Sequence, residues 1–160
     1  LLKASGVRIL SIGIESFSQD VRWHMGKKFT DEDMWWCLDM LSKYNISASL
    51  LLISGYPTET EEDHINTLEK IKLIYQNGYN NQFHLSFSLM LLDHWSPLWN
   101  IVKDDITNYK NIREWTYKDN TPEVRIRRYT EILETIKTRK NTDITWLSNK
   151  ELNNYQAITG

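Results

Sequence analysis

Three short apolar runs, each separated from the next by a longer amphipathic stretch, constrain this chain more than any other feature of its sequence. The first runs from about Arg8 to Glu15 (RILSIGIE), with Leu10, Ile12 and Ile14 alternating with Ile9, Ser11, Gly13 and Glu15. The second, Ser47 to Ser54 (SASLLLIS), is apolar on both faces, as expected of a strand covered on both sides. The third runs from about Phe83 to Leu91 (FHLSFSLML). It places Phe83, Leu85, Phe87 and Leu89 on one face and His84, Ser86, Ser88 and Met90 on the other. Two helical patterns lie between these runs. One opens at Thr30 with Asp33 three residues on, an acidic variant of the capping box, and carries Met34, Cys37 or Leu38, Leu41 and Tyr44. The next repeats the device with Thr60 and Asp63, has Ile65, Leu68, Ile71 and Tyr75 as its expected buried stripe, and stops at Gly78. Crossovers of this length require parallel pairing in right-handed βαβ units, so the expected class is α/β.

Beyond the third strand the order weakens. Residues 93–120 read as an irregular excursion with one short helix. Thr121-Pro122 then opens a good helix with Val124, Tyr129, Ile132, Leu133 and Ile136 as its core stripe, and the last twenty residues are uninformative. The expected organisation is barrel-like over 1–100, followed by an irregular and helical extension over 101–160. Three strands do not close a barrel, and the first would expose an apolar edge. The chain also opens Leu1-Leu2-Lys3 without an initiator Met, so the sequence reads as a fragment of a larger βα enzyme domain.

Composition excludes several function classes. A formal charge of −2 offers no basic footprint for nucleic acid. Arg125, Arg127 and Arg128 form one basic cluster, read as a solvated helix face. No apolar run approaches the ~20 residues of a membrane span, and no secretory signal pattern opens the chain. The single Cys37 excludes an internal disulfide, fits a reducing cytoplasm and reads as a core residue. One thiol does not hold an iron–sulfur cluster. No phosphate-binding glycine loop is present, and His24, His64, His84 and His94 are scattered, so they read as structural or exposed residues rather than as metal ligands.

In parallel βα domains, ligands meet the carboxyl ends of the strands. Glu15-Ser16 follows the first strand as an acceptor and a hydroxyl, a pair that serves a turn or helix cap equally well. Gly55-Tyr56-Pro57-Thr58-Glu59-Thr60 follows the second; glycine there permits close approach of a flat ligand, and the segment is also a common strand-to-helix turn. Asp93-His94-Trp95-Ser96-Pro97 follows the third. The His84/Ser86/Ser88 face would line a polar barrel interior that receives substrate, or simply meet solvent.

Taken together, these strand ends carry a resemblance. LLKASGVRILSIGIESFSQDVRWHMGKKFTDED resembles the middle of radical S-adenosylmethionine (SAM) domains, matching in order at Ser5-Gly6, Gly13-Ile14-Glu15-Ser16 and Met25-Gly26-Lys27. SLLLISGYPTETEED resembles that family's Gly-X-Pro-Gly-Glu-Thr segment at Gly55, Pro57, Glu59 and Thr60, with Thr58 in place of the usual glycine. Ser96-Pro97-Leu98 resembles the end of a Pro-Gly-Thr-Pro-Leu stretch, with His94 and Trp95 where Pro-Gly would stand. The likeness covers roughly residues 1–100.

The resemblance implies the C-terminal half of a partial (βα)6 TIM-like barrel, from just before strand four through strand six. It implies reductive cleavage of SAM at a [4Fe-4S] cluster to a 5′-deoxyadenosyl radical. The cluster ligands are a CX3CX2C motif outside this chain, and an electron donor is needed as partner. By the same resemblance Glu15 and Ser16 would bond the methionyl or ribose part of SAM, Lys27 would pair with its carboxylate, and Ile53, Gly55 and Pro57 would lie against the adenine. The cobalamin-binding and methylthiotransferase-like subgroups are the nearest, so cobalamin is an admissible further cofactor; the substrate is left open. Two other readings stay open: a barrel relic that binds without catalysis, and an unrelated βα-barrel enzyme.

Overall fold

The computed structural model describes residues 2–79 and 82–140; the final twenty residues of the expected extension lie outside them. The elements run β1 (Ile9–Glu15), α1 (Gln19–His24), α2 (Asp31–Lys43), β2 (Ser47–Ser54), α3 (Glu61–Gln76), β3 (Phe83–Leu89), α4 (Pro97–Val102), β4 (Ile106–Thr107), β5 (Thr116–Tyr117) and α5 (Pro122–Lys140). β1, β2 and β3 form one parallel sheet in that order. This is an α/β fold, a parallel sheet alternating with helices and followed by a helical tail, and it has the layout of a partial βα barrel.

The register explains the core. Leu10 pairs with Ala48, Ile12 with Leu50, Ala48 with Phe83 and Leu50 with Leu85, so one face of the sheet is continuously apolar. Met34, Leu38 and Leu41 of α2, Ile71 and Ile74 of α3, and Ile132 and Ile136 of α5 close over it. Each such side chain contributes ~1.5–3 kcal/mol on leaving water, more than a single helix cap supplies. Both expected capping boxes form: the Asp33 and Asp63 amides donate to the Thr30 and Thr60 hydroxyls, and the Thr30 and Thr60 amides donate back to the Asp33 and Asp63 carboxylates at 2.8 Å.

Four expectations are corrected. The second strand is not covered on both sides: Leu51 is 42% exposed and Ile53 half-buried, because among the described residues the helices pack on one face of the sheet only. The expected α3 stripe is rotated, with Ile65 51% exposed while His64, Thr67 and Lys70 are buried beside Ile71 and Ile74. Specific partners make this rotation affordable: His64 Nε2 lies 2.6 Å from the Glu131 carboxylate, and Lys70 Nζ donates to Asp31 at 2.5 Å and to the Phe17 carbonyl at 2.6 Å. Tyr44 caps α2 at the surface instead of extending its stripe. Finally, 93–120 is ordered: α4 and the antiparallel β4–β5 hairpin enclose a second core of Leu92, Val102 and Trp115.

Candidate functional site at the carboxyl ends of the strands

At the end of β1 the pairing with β2 slips: Gly13 faces Leu51, but Glu15 faces Leu52, so the register jumps over Ile14. Glu15 sits at φ 68°, a left-handed conformation costing ~1–3 kcal/mol for a non-glycine residue. The Ser16 amide donates to the Ile14 carbonyl at 2.9 Å, closing the tight turn. This bulge brings Glu15 back over Gly13, where a Cβ would lie 2.5 Å from the Glu15 Oε1 atom. Gly13 thus leaves room for the Glu15 side chain to fold across it.

Lys27, from the turn between α1 and α2, reaches the same place. Its Nζ lies 3.3 Å from Glu15 Oε1 and 3.5 Å from the Gly13 carbonyl oxygen, with 43% of the Lys27 side chain and 25% of the Glu15 side chain exposed. A pair this exposed is worth ~1 kcal/mol or less, so an incoming anion displaces it at little cost. Ser16, by contrast, is buried and its hydroxyl oxygen accepts the Ser18 amide at 3.1 Å, so it also builds the turn.

A charge cluster of two buried cations on the half-exposed Asp31 supports this turn from below. Arg22 donates to the Ser16 and Phe17 carbonyls at 3.0 and 3.1 Å and to the Asp31 carboxylate at 2.5 Å, and Lys70 binds the same carboxylate and the Phe17 carbonyl. Burial pushes the Asp31 carboxyl upward, but the hydrogen bonds and charges of Arg22 and Lys70 together hold it below its usual value. Nothing in the sequence singled out Arg22, Asp31 or Lys70. The available signal was a lysine falling on the buried phase of α3.

After β2, Gly55 adopts φ 81°, and the space where its side chain would stand is filled by Arg125, whose Cδ would lie 2.6 Å from an added Cβ. The Gly55 amide donates to the Glu59 carboxylate at 2.6 Å, closing the loop onto itself. Burial raises the Glu59 carboxyl to about 7, against the lowering effect of the Gly55 amide and the Arg128 charge. Tyr56 is buried with its hydroxyl 3.0 Å from His24 Nδ1, which ties this loop to α1; burial lifts the phenol to about 12. Asn120 donates to the Tyr56 and Pro57 carbonyls at 2.8 and 3.2 Å, and Arg128 donates to the Glu59 carbonyl at 2.8 Å.

The solvated-face reading of the arginine cluster is thereby corrected. Arg125 and Arg128 are 1% and 5% exposed, and Arg127 alone stays at the surface, bonded to Glu61 and Glu131. Each buried guanidinium finds its own acceptors: Arg125 the Asn120 and Arg113 carbonyls, and Arg128 the Glu59 carbonyl and the Glu61 carboxylate.

The sheet register puts Ser49, Leu51 and Ile53 beside His84, Ser86 and Ser88, on the face opposite the helices. This face holds the polar residues expected of it, with His84 and Ser88 exposed and Ser86 half-buried. Ser96 caps α4 by accepting the Trp99 amide at 3.3 Å with Pro97 in the first turn, while Trp95 stands out, 84% exposed.

The donor set suits SAM in kind: an exposed cation and a carboxylate at one strand end, and the open Leu51 and Ile53 surface at the next. An iron–sulfur cluster is not suited to these residues. Among the described residues no group of three His, Cys, Asp or Glu side chains converges, and Cys37 is a half-buried α2 residue whose thiol burial pushes up. No described helix is long and apolar enough to cross a membrane.

Comparison with known proteins agrees with this geometry. Residues 1–71, which contain Glu15, Lys27 and the Gly55–Glu59 loop, match the model of the radical SAM superfamily. A relative from Lachnoclostridium phytofermentans, a tRNA-2-methylthio-N(6)-dimethylallyladenosine synthase, is 26% identical over 101 residues, 62% of this chain and 22% of the relative. The chain thus spans about a fifth of that relative's length.

Proposed function

We propose that this chain supplies the SAM-binding side of a radical SAM catalytic domain. The observation that carries the reading is the Glu15–Lys27 pair, held by a strained bulge at the carboxyl end of a parallel strand and exposed enough to exchange partners. Lys27 binds the carboxylate of SAM as a point charge, and Glu15, released from Lys27, accepts from the amino or ribose groups with Ser16 beside it. Of Ile53, Gly55 and Pro57, Ile53 gives the adenine an apolar surface, while Gly55 and Pro57 are buried, Gly55 beneath the Arg125 stem, and shape the loop beside it; the His84, Ser86 and Ser88 face receives the substrate. A [4Fe-4S] cluster, held by thiolates this chain does not contain, supplies the electron for SAM cleavage when bound. An external electron donor is then needed as a partner. The open sheet face also leaves room for cobalamin in a methylthiotransferase-like or cobalamin-binding enzyme. The residues of this chain bind and orient SAM.

Replacing Lys27 with Ala in the full-length protein tests this. A charge-assisted contact worth ~1.5–3 kcal/mol predicts a roughly tenfold to hundredfold loss of SAM affinity by calorimetry, with cluster assembly unchanged. Unaltered affinity would remove the assignment.

A further inference from the structure

Three of the residues that shape the Gly55–Glu59 loop, Asn120, Arg125 and Arg128, come from outside the segment matched to the superfamily. Residues 120–128, some fifty positions beyond residue 71, meet the loop backbone at each end and in the middle. Asn120 Nδ2 reads the Tyr56 and Pro57 carbonyls, Arg128 reads that of Glu59, and the Arg125 stem fills the space over Gly55. Arg125 is itself fixed: its Nη1 donates to the Asn120 carbonyl at 2.8 Å, its Nη2 to that of Arg113 at 3.0 Å, and its guanidinium lies 3.6 Å over the Trp115 ring.

Packing α5 against α3 and the sheet does not demand this arrangement. Well-packed apolar residues of similar volume are usually as stabilising as buried ions, because desolvation offsets most of what the charges gain. Buried donors aimed at successive carbonyls of one loop instead select one backbone conformation. They do so although the Asn120 side-chain oxygen is left buried without a partner, a recognised cost.

We infer that Asn120 and Arg125 are positioning residues for the adenine side of the proposed SAM site, holding Gly55–Glu59 in one shape so that the ligand meets a preformed surface. This inference rests on the SAM reading above. It assigns to the C-terminal helix region a role in cofactor affinity, beyond its packing.

The test compares full-length wild type with Asn120→Ala and with Arg125→Lys. The second keeps the charge and the stem over Gly55 while removing the forked donors. Hydrogen exchange of the Gly55 and Glu59 amides should quicken on the order of tenfold in both variants, with β2 amides unchanged. Affinities for SAM and for 5′-deoxyadenosine should fall together by about tenfold, whereas Lys27→Ala should weaken SAM and spare 5′-deoxyadenosine. Unchanged exchange in the loop, or faster exchange with wild-type affinity for both ligands, would overturn the inference. Wild-type protein that binds neither ligand would sink the SAM reading and the positioning role with it. The exchange data would then still show whether residues 120–128 order the loop.

Discussion

The two strand ends of the candidate site are built in opposite ways. At the end of β1, Glu15 and Lys27 meet in a half-exposed pair whose loss costs little, on a turn anchored by Arg22, Asp31 and Lys70. At the end of β2 the loop is gripped on its backbone by Asn120, Arg125 and Arg128 and has little freedom to change. The first arrangement suits a side chain that must exchange a protein partner for a ligand; the second suits a surface that must be ready before the ligand arrives. On the proposed SAM reading, affinity at the first end would be electrostatic and at the second would come from preorganisation.

The contrast can be broken most forcefully at Trp115, which carries the guanidinium of Arg125 and centres the second core. Trp115→Ala should cost about 3–5 kcal/mol in urea unfolding and loosen the β2–α3 loop. A loss under about 1 kcal/mol would mean that the second core folds independently of the lock. Gly55→Ala should cost about 2–4 kcal/mol, since it combines left-handed strain with a collision against Arg125. Relief of part of that cost in the Gly55→Ala/Arg125→Ala double variant would isolate the collision.

Glu59 sharpens the contrast through pH. Its carboxyl is raised in the folded state to about 7, so the folded protein holds a proton that the unfolded chain has released. Stability from this group is complete below the ordinary glutamate range and declines as pH rises to about 7, on the order of 3 kcal/mol. Glu59→Gln stays neutral and can still accept the Gly55 amide, so the stability difference between wild type and variant should change with pH across that window. A flat difference would show that the carboxylate is ionised at no cost. The smallest effect is expected at the open end: Lys27→Ala should shift stability by less than about 0.5 kcal/mol while lowering SAM affinity strongly. A large stability loss there would make Lys27 a structural residue.

Much of the frame was legible because local signals coincide in it. The strand periodicity, both Thr–Asp capping boxes and the α5 stripe from Tyr129 to Ile136 follow from spacing alone, and the Gly-Ile-Glu-Ser and Met-Gly-Lys segments led to the superfamily that residues 1–71 match. What could not be read were the long-range polar contacts. Arg125 and Arg128 resemble any basic run on an exposed helix until the fold brings the Asn120 and Arg113 carbonyls and the Trp115 ring to Arg125, and the Glu59 carbonyl, sixty-nine residues away, to Arg128. His64 and Lys70 fall out of an apolar stripe for the same reason, since Glu131 and Asp31 receive them only in the folded chain.

The sequence by itself determined the parallel βα class, the helix starts and the strand ends where a ligand is expected, because periodicity, caps and turn residues act over a few positions. Only the tertiary structure decided that the Glu15–Lys27 pair stays exposed while the Gly55–Glu59 loop is locked. Burial of a charge depends on whether acceptors arrive from elsewhere in the chain, and no local pattern records that arrival.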